Sequence, residues 1–274
     1  IANSKYPENF LIVGLTTQGD TAWVQVHKAL KEKYGDKFYD VRSYLASEKA
    51  LNDAGITPTA TDLSLISRPV SYLEIKKESI DGKRHEVKFD ISVSEEICIN
   101  LLKEEAVEYE RIDLGNLQSV KMGSVAQKIL CQSGDDVRIN WGYFYLTTSG
   151  NVWTSEVKDE SDSSAYKIVG ATVDVKDSTL ITFAYDDISS IEYFGEHLKA
   201  YWKKDGSTIL DQIKMAHKDY KTVMNRCNAF AKDMFCDAVR AGGEKYAEIL
   251  ELAYRQVIAA HKLVLDTEGN ILFI

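Results

Sequence analysis

The sequence predicts an α+β protein in three parts: a small α/β segment over residues 1–60, an antiparallel β-sandwich over 61–185, and a helical segment over 186–274. Three observations predict this class. The first part alternates short apolar runs with amphipathic stretches, as successive strands and helices do. The middle part alternates apolar and polar residues at a period of two, between turn motifs. The last part carries apolar residues at helical spacing.

The α/β segment begins with "FLIVGL" (10–15), an apolar run of strand length. It continues with "TAWVQVHKALKEKYG" (21–35), whose apolar residues lie at helical spacing and whose final glycine, Gly35, is a typical helix C-cap. A second short strand and a helix are predicted in "KFYDVRSYLAS" (37–47). The order strand, helix, strand, helix is typical of α/β proteins.

The sandwich is predicted from strands separated by turns. The dipeptide Asp81-Gly82 stands between two alternating runs, which is the strongest short hairpin signal in a sequence. We therefore expect it to form a two-residue turn that joins "SYLEIKKESI" to "KRHEVKFDI" as antiparallel neighbours. Three further turn motifs separate the strands that follow: Ser133-Gly134-Asp135-Asp136, Ser149-Gly150-Asn151 and Lys176-Asp177-Ser178.

The helical segment is predicted to hold two long helices, which Gly242-Gly243 separates. The second, over about 244–265, has apolar residues on more than one face, and a single neighbouring sheet or helix can bury only one. We therefore expect four side chains to be left partly exposed, or to be covered by a second copy of the chain: Leu252, Ile258, Ala259 and Leu263. This predicts self-association through the terminal helix, or poor solubility.

Composition excludes several classes of protein. Hydrophobic residues make up 45% and charged residues 27% of the 274 residues, which is ordinary for a globular protein. No run approaches the ~20 apolar residues of a membrane helix, so no membrane partner is expected. The formal net charge of −9 repels phosphates, so no nucleic acid partner is expected either. The opening "IANSKYPENF" does not have the pattern of a signal peptide.

The cysteines and histidines do not predict a metal or cofactor site. The spacing of Cys98, Cys131, Cys227 and Cys236 resembles neither a zinc site nor a disulfide framework, so we expect four buried or half-buried free thiols. The five histidines never occur at i, i+4 on one helix, which excludes the zincin pattern. His261, on the predicted terminal helix, is expected to be a packed or hydrogen-bonded core residue. The five histidines of the chain are His27, His85, His197, His217 and His261.

Two pairs of carboxylates are candidates for chemistry, because paired carboxylates can bind a cation or divide acid and base roles. Asp135-Asp136 lies in a predicted turn, where solvent exposure is the simpler interpretation. Asp186-Asp187 lies where the strand pattern gives way to the helical one, and helix capping is the leading interpretation. The alternative is that Asp186 and Asp187 are catalytic. Gly19-Asp20-Thr21 is expected to cap a helix.

From Thr61 onward, five phrases follow one another: "DLSLISRPVSYLEI", "SIDGKRHEVKFDIS", "GDDVRINWGYFYL", "FAYDDISSIEYFGEHLKAYW" and "AGGEKYAEILELAYRQVIAAHKLVLDTEGNILF". In this order they resemble the glutaminase A family. The resemblance implies a β-sandwich-like N-terminal domain followed by a large (α/α) toroid, of which residues 186–274 would be the start. It also implies a secreted or periplasmic glutaminase.

Residues 1–60 depart from that family. Their stretches "NFLIVGLTT" and "YGDKFYDVRSYLASEKALNDAGITPTATD" resemble a late segment of an SGNH-type hydrolase, although the chain has neither the nucleophile nor the Asp-x-x-His block of that class. The change falls within "TPTATDL", so the chain resembles a chimera or a truncated protein.

These observations favour one function and leave two alternatives. The leading function is that of the N-terminal, non-catalytic region of a glutaminase A-like hydrolase, which braces a helical catalytic domain that is mostly missing. The first alternative is an amidohydrolase that converts glutamine to glutamate as it stands, with Asp186 and Asp187 as its candidate catalytic groups. The second is a β-sandwich module that binds carbohydrate or peptide.

Overall fold

The computed structural model describes residues 12–13, 32, 38–39, 62–101, 105–134, 137–158 and 165–274. The chain divides into two compact units. The sandwich unit consists of Ser67–Lys221 and His261–Ile274, and the helical unit consists of Thr222–Ala260 together with the chain up to Ile66.

Most of the described secondary structure is antiparallel sheet. The strands are β1 (Ile12–Val13), β2 (Phe38–Tyr39), β3 (Val70–Lys76), β4 (Val87–Ser94), β5 (Val107–Asp113), β6 (Gln118–Ser124), β7 (Tyr143–Thr148), β8 (Asn151–Lys158), β9 (Ala165–Val175), β10 (Ser178–Asp186), β11 (Ile191–Tyr193), β12 (Glu196–Ala200), β13 (Leu263–Leu265) and β14 (Ile271–Phe273). The α-helices with described bounds are α1 (Leu63–Ile66), α2 (Ile209–Gly242) and α3 (Glu244–Ala260). Short 3-10 helices span Glu95–Cys98 and Tyr201–Lys203.

A five-stranded sheet and a three-stranded sheet form the predicted sandwich. Their strand orders are β3-β10-β7-β6-β5 and β4-β9-β8, and every neighbouring pair is antiparallel. The strand pattern places alternate side chains on opposite faces. In β6, Val120 and Met122 are completely buried in the main core, whereas the intervening Lys121 is half-buried on the other face. The α+β class with an antiparallel sandwich is confirmed.

The outer face of the five-stranded sheet is also covered. Tyr145 and Ala184 of this sheet pack with Trp202, Ile209 and Ile213 in a second, smaller core. The last two come from the first turns of α2, whose residues up to Lys221 belong to the sandwich unit. The five-stranded sheet is therefore buried on both faces within this unit.

A capping box begins α2. The hydroxyl of Thr208 accepts a hydrogen bond from the backbone N–H of Asp211 at 3.2 Å, and the Asp211 carboxylate accepts one from the backbone N–H of Thr208 at 3.0 Å. This reciprocal pair satisfies two N–H groups at the helix start.

The predicted hairpin at Asp81-Gly82 is wrong. β3 pairs with β10, with Tyr72 opposite Thr182, and β4 pairs with β9, with Phe89 opposite Val173. The two runs lie in different sheets, and the segment between them crosses from one to the other. Gly82 does adopt the positive φ of a turn glycine, +72°. Each strand instead forms a full antiparallel ladder at the edge of its own sheet, β3 with β10 and β4 with β9.

Hairpins occur elsewhere in the sandwich unit. Leu114 donates its N–H to the carbonyl of Leu117 at 2.9 Å and closes the turn between β5 and β6. Phe194 and Gly195, with φ of +49° and +84°, connect β11 to β12. Positive φ at both central residues is the requirement of a type I′ turn.

The segment over residues 186–274, predicted to be helical, begins and ends with strands. Strands β11 and β12 precede α2, and β13 and β14 follow α3. The predicted helix over 244–265 ends at Ala260, and Leu263, predicted to be exposed, is buried in β13. Pairing with β12 and β14 buries Leu263 and Val264 in a sheet, which further helical turns would not have done.

In the predicted α/β segment, β1 and β2 pair in parallel, with Ile12 opposite Phe38 and Val13 opposite Tyr39. Parallel neighbours require a crossover connection, and Glu32 between them is helical. The two strands predicted here are therefore confirmed. The helix caps predicted at Gly35 and at Gly19-Asp20-Thr21 lie outside the described residues.

In the helical unit, α2 continues from Thr222 to Gly242 and α3 follows almost at once. The predicted break is confirmed: Gly243 has φ of +85° and donates its N–H to the carbonyl of Val239 at 2.8 Å, as a C-terminal cap does. The rings of Phe230 and Tyr254 pack 5.2 Å apart between the two helices. Arg226 pairs with Asp62, whose carboxylate caps α1.

Candidate functional site

The five residues Asp186–Ser190, named here the Asp187 turn, lie at the end of β10 and before β11. Ser189 donates its N–H to the carbonyl of Asp187 at 2.5 Å, which makes a three-residue turn around Ile188. Ile188 has φ of +59°, an outlier conformation for a β-branched residue. Such strain costs about 1–3 kcal/mol and clusters at functional sites.

The surrounding side chains hold the strained turn in place. The ammonium group of Lys203 donates to Asp186 Oδ1 at 2.5 Å and to the carbonyl of Ile188 at 3.0 Å. Asp186 Oδ1 also accepts from the backbone N–H of Ile188 at 2.9 Å. The indole N–H of Trp141 donates to the carbonyl of Ser189 at 3.0 Å. Asp186 is therefore occupied in fixing the turn.

The neighbouring Gly142 lies so close to the turn that it has no room for a side chain. A Cβ on Gly142 would lie 3.0 Å from the Cα of Asp187 and against the carbonyl oxygen of Asp186, and its φ is +84°. Gln127 accepts a hydrogen bond from the N–H of Gly142 at 2.6 Å. Tyr185 donates its hydroxyl to the carbonyl of Trp141 at 2.8 Å. The Trp141-Gly142 segment is thus a fixed wall of the site.

Asp187 differs from Asp186 in having hydrogen-bonding capacity to spare. Its side chain is only 9% exposed. Its Oδ2 lies 3.5 Å from the ammonium group of Lys262, and its Oδ1 is buried without a hydrogen-bond partner among the described residues. The hydroxyl oxygen of Ser190 is also buried without a hydrogen-bond partner among the described residues. An unsatisfied buried polar group is costly and calls for an explanation.

A second polar network holds Asn140, the residue that precedes the Trp141-Gly142 segment. The carboxylate of Glu105 accepts hydrogen bonds from Asn140 Nδ2 at 2.7 Å, from Ser124 at 2.8 Å and from Lys128 at 3.4 Å. Desolvation raises the pKa of Glu105, but these hydrogen bonds and the charge of Lys128 outweigh it, so its pKa lies below the ordinary value. A charged Glu105 thus anchors Asn140, the residue before Trp141.

The described histidines do not converge on the Asp187 turn. His217 of α2 lies 3.0 Å from the hydroxyl of Thr182, and burial lowers the pKa of its imidazole. The other described histidines, His85, His197 and His261, are exposed. His261 was predicted to be a core residue on a helix, which is wrong: it follows the end of α3 and stacks on Phe273. The part of the chain that the structure describes holds no group of three metal-binding side chains.

The capping interpretation of Asp186-Asp187 is wrong, because the segment leads into strand β11 and not into a helix. The other carboxylate pair, Asp135-Asp136, lies outside the described residues. All four cysteines are free, as expected, but Cys131 and Cys236 are exposed, contrary to the expectation of burial. Burial raises the pKa of the Cys98 thiol to about 12, so it is not a reactive thiolate at neutral pH.

Sequence reasoning singled out the two aspartates but not their partners. Trp141, Lys203 and Lys262 are distant in sequence and meet at the Asp187 turn only through the packing of the sandwich unit. The phrase "WGYFYL" did include Trp141, but its pattern predicted only a strand. Lys262 follows an apolar helical run, and this local pattern does not indicate a functional role.

Comparisons with known proteins place the chain in a family. The chain is 24% identical over 253 residues to a protein named Glutaminase A from Aspergillus oryzae (strain ATCC 42149 / RIB 40). The match covers 78% of this chain and 36% of that protein, so the chain spans about a third of the length of its relative. Among the described residues, no helix is both long and apolar enough to cross a membrane.

The family match covers most of the sandwich unit, up to Lys221, and part of α2. The family described as "Domain of unknown function (DUF5127)" matches residues 55–171 and 149–235, which together span more than half of the chain. The resemblance of residues 1–60 to an SGNH-type hydrolase, and a chimeric origin, receive no support from these comparisons and stay predictions. The resemblance to glutaminase A agrees with the distant match. The chain belongs to the DUF5127 family.

Proposed function

We propose that this chain is the N-terminal, non-catalytic region of a glutaminase A-like hydrolase, and that it braces a helical catalytic domain. The observation that carries the proposal is the match to Glutaminase A of Aspergillus oryzae, which covers most of this chain but only 36% of that protein. A region of that size, with a β-sandwich followed by two long helices, suits a supporting domain. We extend the proposal to secretion, which the resemblance implies.

The surface of the helical unit supports a bracing role. Ile249 and Leu252, one turn apart on α3, are 66% and 58% exposed. Large apolar side chains that are exposed next to each other can form part of an interface. A helical domain that packed against α3 would cover these side chains. Each would then contribute roughly 1.5–3 kcal/mol of burial free energy.

A second candidate function is amide hydrolysis by the chain as it stands. The specific observation in its favour is Asp187, a buried carboxylate with one unpaired oxygen next to a lysine. A carboxylate in such a position can act as a general base if a substrate or water comes within hydrogen-bond reach. Asp186 does not share this capacity, because Lys203 and the Ile188 N–H already occupy its Oδ1.

The two candidates are separated by an assay of glutamine hydrolysis. We expect the purified chain to show no turnover. Turnover by the chain alone within roughly tenfold of an ordinary enzyme rate of ~10 per second, retained through repurification and lost in Asp187→Asn, would overturn the non-catalytic proposal.

A further inference from the structure

We propose that the outer face of the three-stranded sheet binds a neutral oligosaccharide of glucose-type rings, with Trp153 of β8 as the surface on which a ring stacks. The outer face is the side of the β4-β9-β8 sheet that points away from the main core. The site binds its ligand and breaks no bond in it. The inference therefore goes beyond the bracing role and does not depend on it.

The alternation of the strands defines which residues lie on the outer face. In β9, Ala171 is completely buried in the main core, so its neighbours Gly170 and Thr172 point to the other side. The strand register places Trp153 of β8 opposite Gly170 on one side, and Ser92 of β4 opposite Gly170 on the other. Trp153, Gly170 and Ser92 therefore form one row across the outer face.

The indole ring of Trp153 lies flat on this face. A Cβ added to Gly170 would lie within 2.6 Å of three neighbouring ring atoms, Cε2, Cζ2 and Cη2. The three distances are similar, which places that point over the face of the ring and not beside its edge. One side of the ring therefore rests on Gly170, and the opposite side points away from the sheet. Covering a strand glycine explains the first side of the ring but not the second.

Hydrogen bonds fix the orientation of the ring. Trp153 Nε1 donates to the hydroxyl oxygen of Thr172 at 3.2 Å, and the Thr172 hydroxyl donates in turn to Oδ1 of Asp90 on β4. This chain of contacts crosses all three strands of the sheet. The platform is thus preorganised, and a preorganised surface loses less free energy on binding than a mobile one.

Polar side chains that are open to solvent surround the half-buried indole. Asp90, Ser92, Asn151 and Ser155 are all exposed, and each lies at an outward position of β4 or β8. A carboxylate has about four acceptor positions, and Thr172 uses one of those on Asp90. Hydroxyl groups that donate to such a carboxylate form charge-assisted hydrogen bonds, which are stronger than neutral ones.

This combination of groups matches the chemistry of a glucose ring. Such a ring carries C–H bonds on its two faces and hydroxyl groups around its rim. The C–H bonds carry partial positive charge and suit the negative face of an aromatic ring. The hydroxyl groups at the rim can then meet the side chains of Asp90 and Ser92.

The charges of the outer face favour a neutral ligand. The outward positions of the three strands carry two acidic side chains, Asp90 and Asp174, and one basic side chain, Lys88. An excess of negative charge repels phosphates and other anions. An uncharged sugar that donates hydroxyl hydrogens to carboxylates does not meet this repulsion.

The test is titration calorimetry of the whole chain with cellohexaose, a neutral chain of glucose rings. A second measurement locates the ligand on the unaltered chain: oxidation of tryptophans by N-bromosuccinimide, mapped by mass spectrometry with and without cellohexaose. We expect saturable binding that protects Trp153 and leaves the reactivity of Trp141 and Trp202 unchanged. No binding of cellohexaose, or binding that leaves Trp153 unprotected, would overturn the site.

Variants give an independent readout. Trp153→Ala should weaken cellohexaose binding roughly tenfold or more, as the loss of an aromatic stacking partner does for nucleic acid bases. Trp153→Phe keeps a ring over Gly170 and should weaken binding less. Asp90→Asn should weaken binding several-fold. The matched control is Phe194→Ala, which removes a 92% exposed ring elsewhere in the sandwich unit and should not change the affinity.

The outcomes separate a binding role of the ring from a purely structural one. Undiminished binding by a folded Trp153→Ala chain, or an equal loss in Phe194→Ala, would contradict the proposal. If Trp153→Ala does not fold, the oxidation experiment on the unaltered chain decides the question. Failure of this site leaves the bracing proposal standing, and hydrolysis of glutamine by the chain would not affect the site.

Discussion

The sandwich unit and the helical unit bury their apolar residues to very different extents. The main core of the sandwich unit holds completely buried side chains from both sheets, among them Val120, Leu146 and Ile181. In the helical unit, the only buried apolar residues among those the structure describes are Val223, Ala238 and Ala247, while many larger ones are half-buried or exposed. The difference indicates that the sandwich unit has a closed core of its own, whereas the described part of the helical unit leaves apolar side chains that a partner could cover.

The largest expected effect is a contrast between two leucines, one in each unit. Leu146→Ala should lower the free energy of unfolding by about 2–5 kcal/mol, because it leaves a cavity in a closed core. Leu252→Ala, the same chemical change at a 58% exposed position, should cost well under ~1 kcal/mol. Urea denaturation of both variants measures the contrast. Equal losses would show that the helical unit is packed as closely as the sandwich.

The exposed face of α3 should cause self-association when no other partner is present. Each large apolar side chain covered by a second copy contributes roughly 1.5–3 kcal/mol. Ile249→Lys with Leu252→Lys should therefore shift sedimentation towards the monomer, whereas Met215→Lys, at an exposed site of the sandwich unit, should not. A stable monomer of the unaltered chain at high concentration would contradict this use of the surface.

Gly142→Ala should destabilise the sandwich unit, because the added methyl group would clash with the Asp187 turn. The added methyl group meets the backbone of Asp186 and Asp187 and also forces an L-residue to a φ of +84°, which alone costs about 1–2 kcal/mol. Gly82→Ala is the matched control, because its φ is +72° and no atom lies within 4 Å of the added group. Thermal unfolding should show a larger loss for Gly142→Ala; equal losses would mean that the close approach has no energetic consequence.

The smallest effect expected is a pH dependence from His217. Burial lowers the pKa of His217 in the folded state, so the unfolded chain binds the proton more readily. Stability should therefore fall as the pH drops through the ordinary histidine value of about 6.5, and His217→Gln should flatten this part of the profile. His85→Gln, at an exposed turn, serves as the control. An unchanged slope in His217→Gln would assign the acid sensitivity to other groups.

Local patterns predicted much of the fold correctly because their causes are local. Strand β6 matches its predicted run "QSVKMGS" residue for residue, and Gly242-Gly243 ends α2 as expected. Alternation determines which side chains share a face of a strand, and a glycine pair ends a helix wherever it occurs. These inferences depend on residues within a few positions of one another.

The turn motifs show where local patterns are insufficient. Ser149-Gly150 and Lys176-Asp177 each connect adjacent strands, as predicted, yet β7 and β8 belong to different sheets, and so do β9 and β10. The connection between β3 and β4 changes sheets in the same way. A turn motif reports that the chain reverses but not which strand becomes the hydrogen-bonded neighbour, because that choice depends on the burial of both sheets at once.

By itself, the sequence determined most strands of the sandwich, the break between the two long helices and the α+β class, and it singled out Asp186 and Asp187 as candidates. Only the tertiary structure decided that Asp186 is occupied by Lys203 while Asp187 keeps an unpaired oxygen near Lys262. The reason is physical: hydrogen bonds between side chains depend on distances of a few ångströms in space. The packing of two sheets sets those distances for residues that lie far apart along the chain.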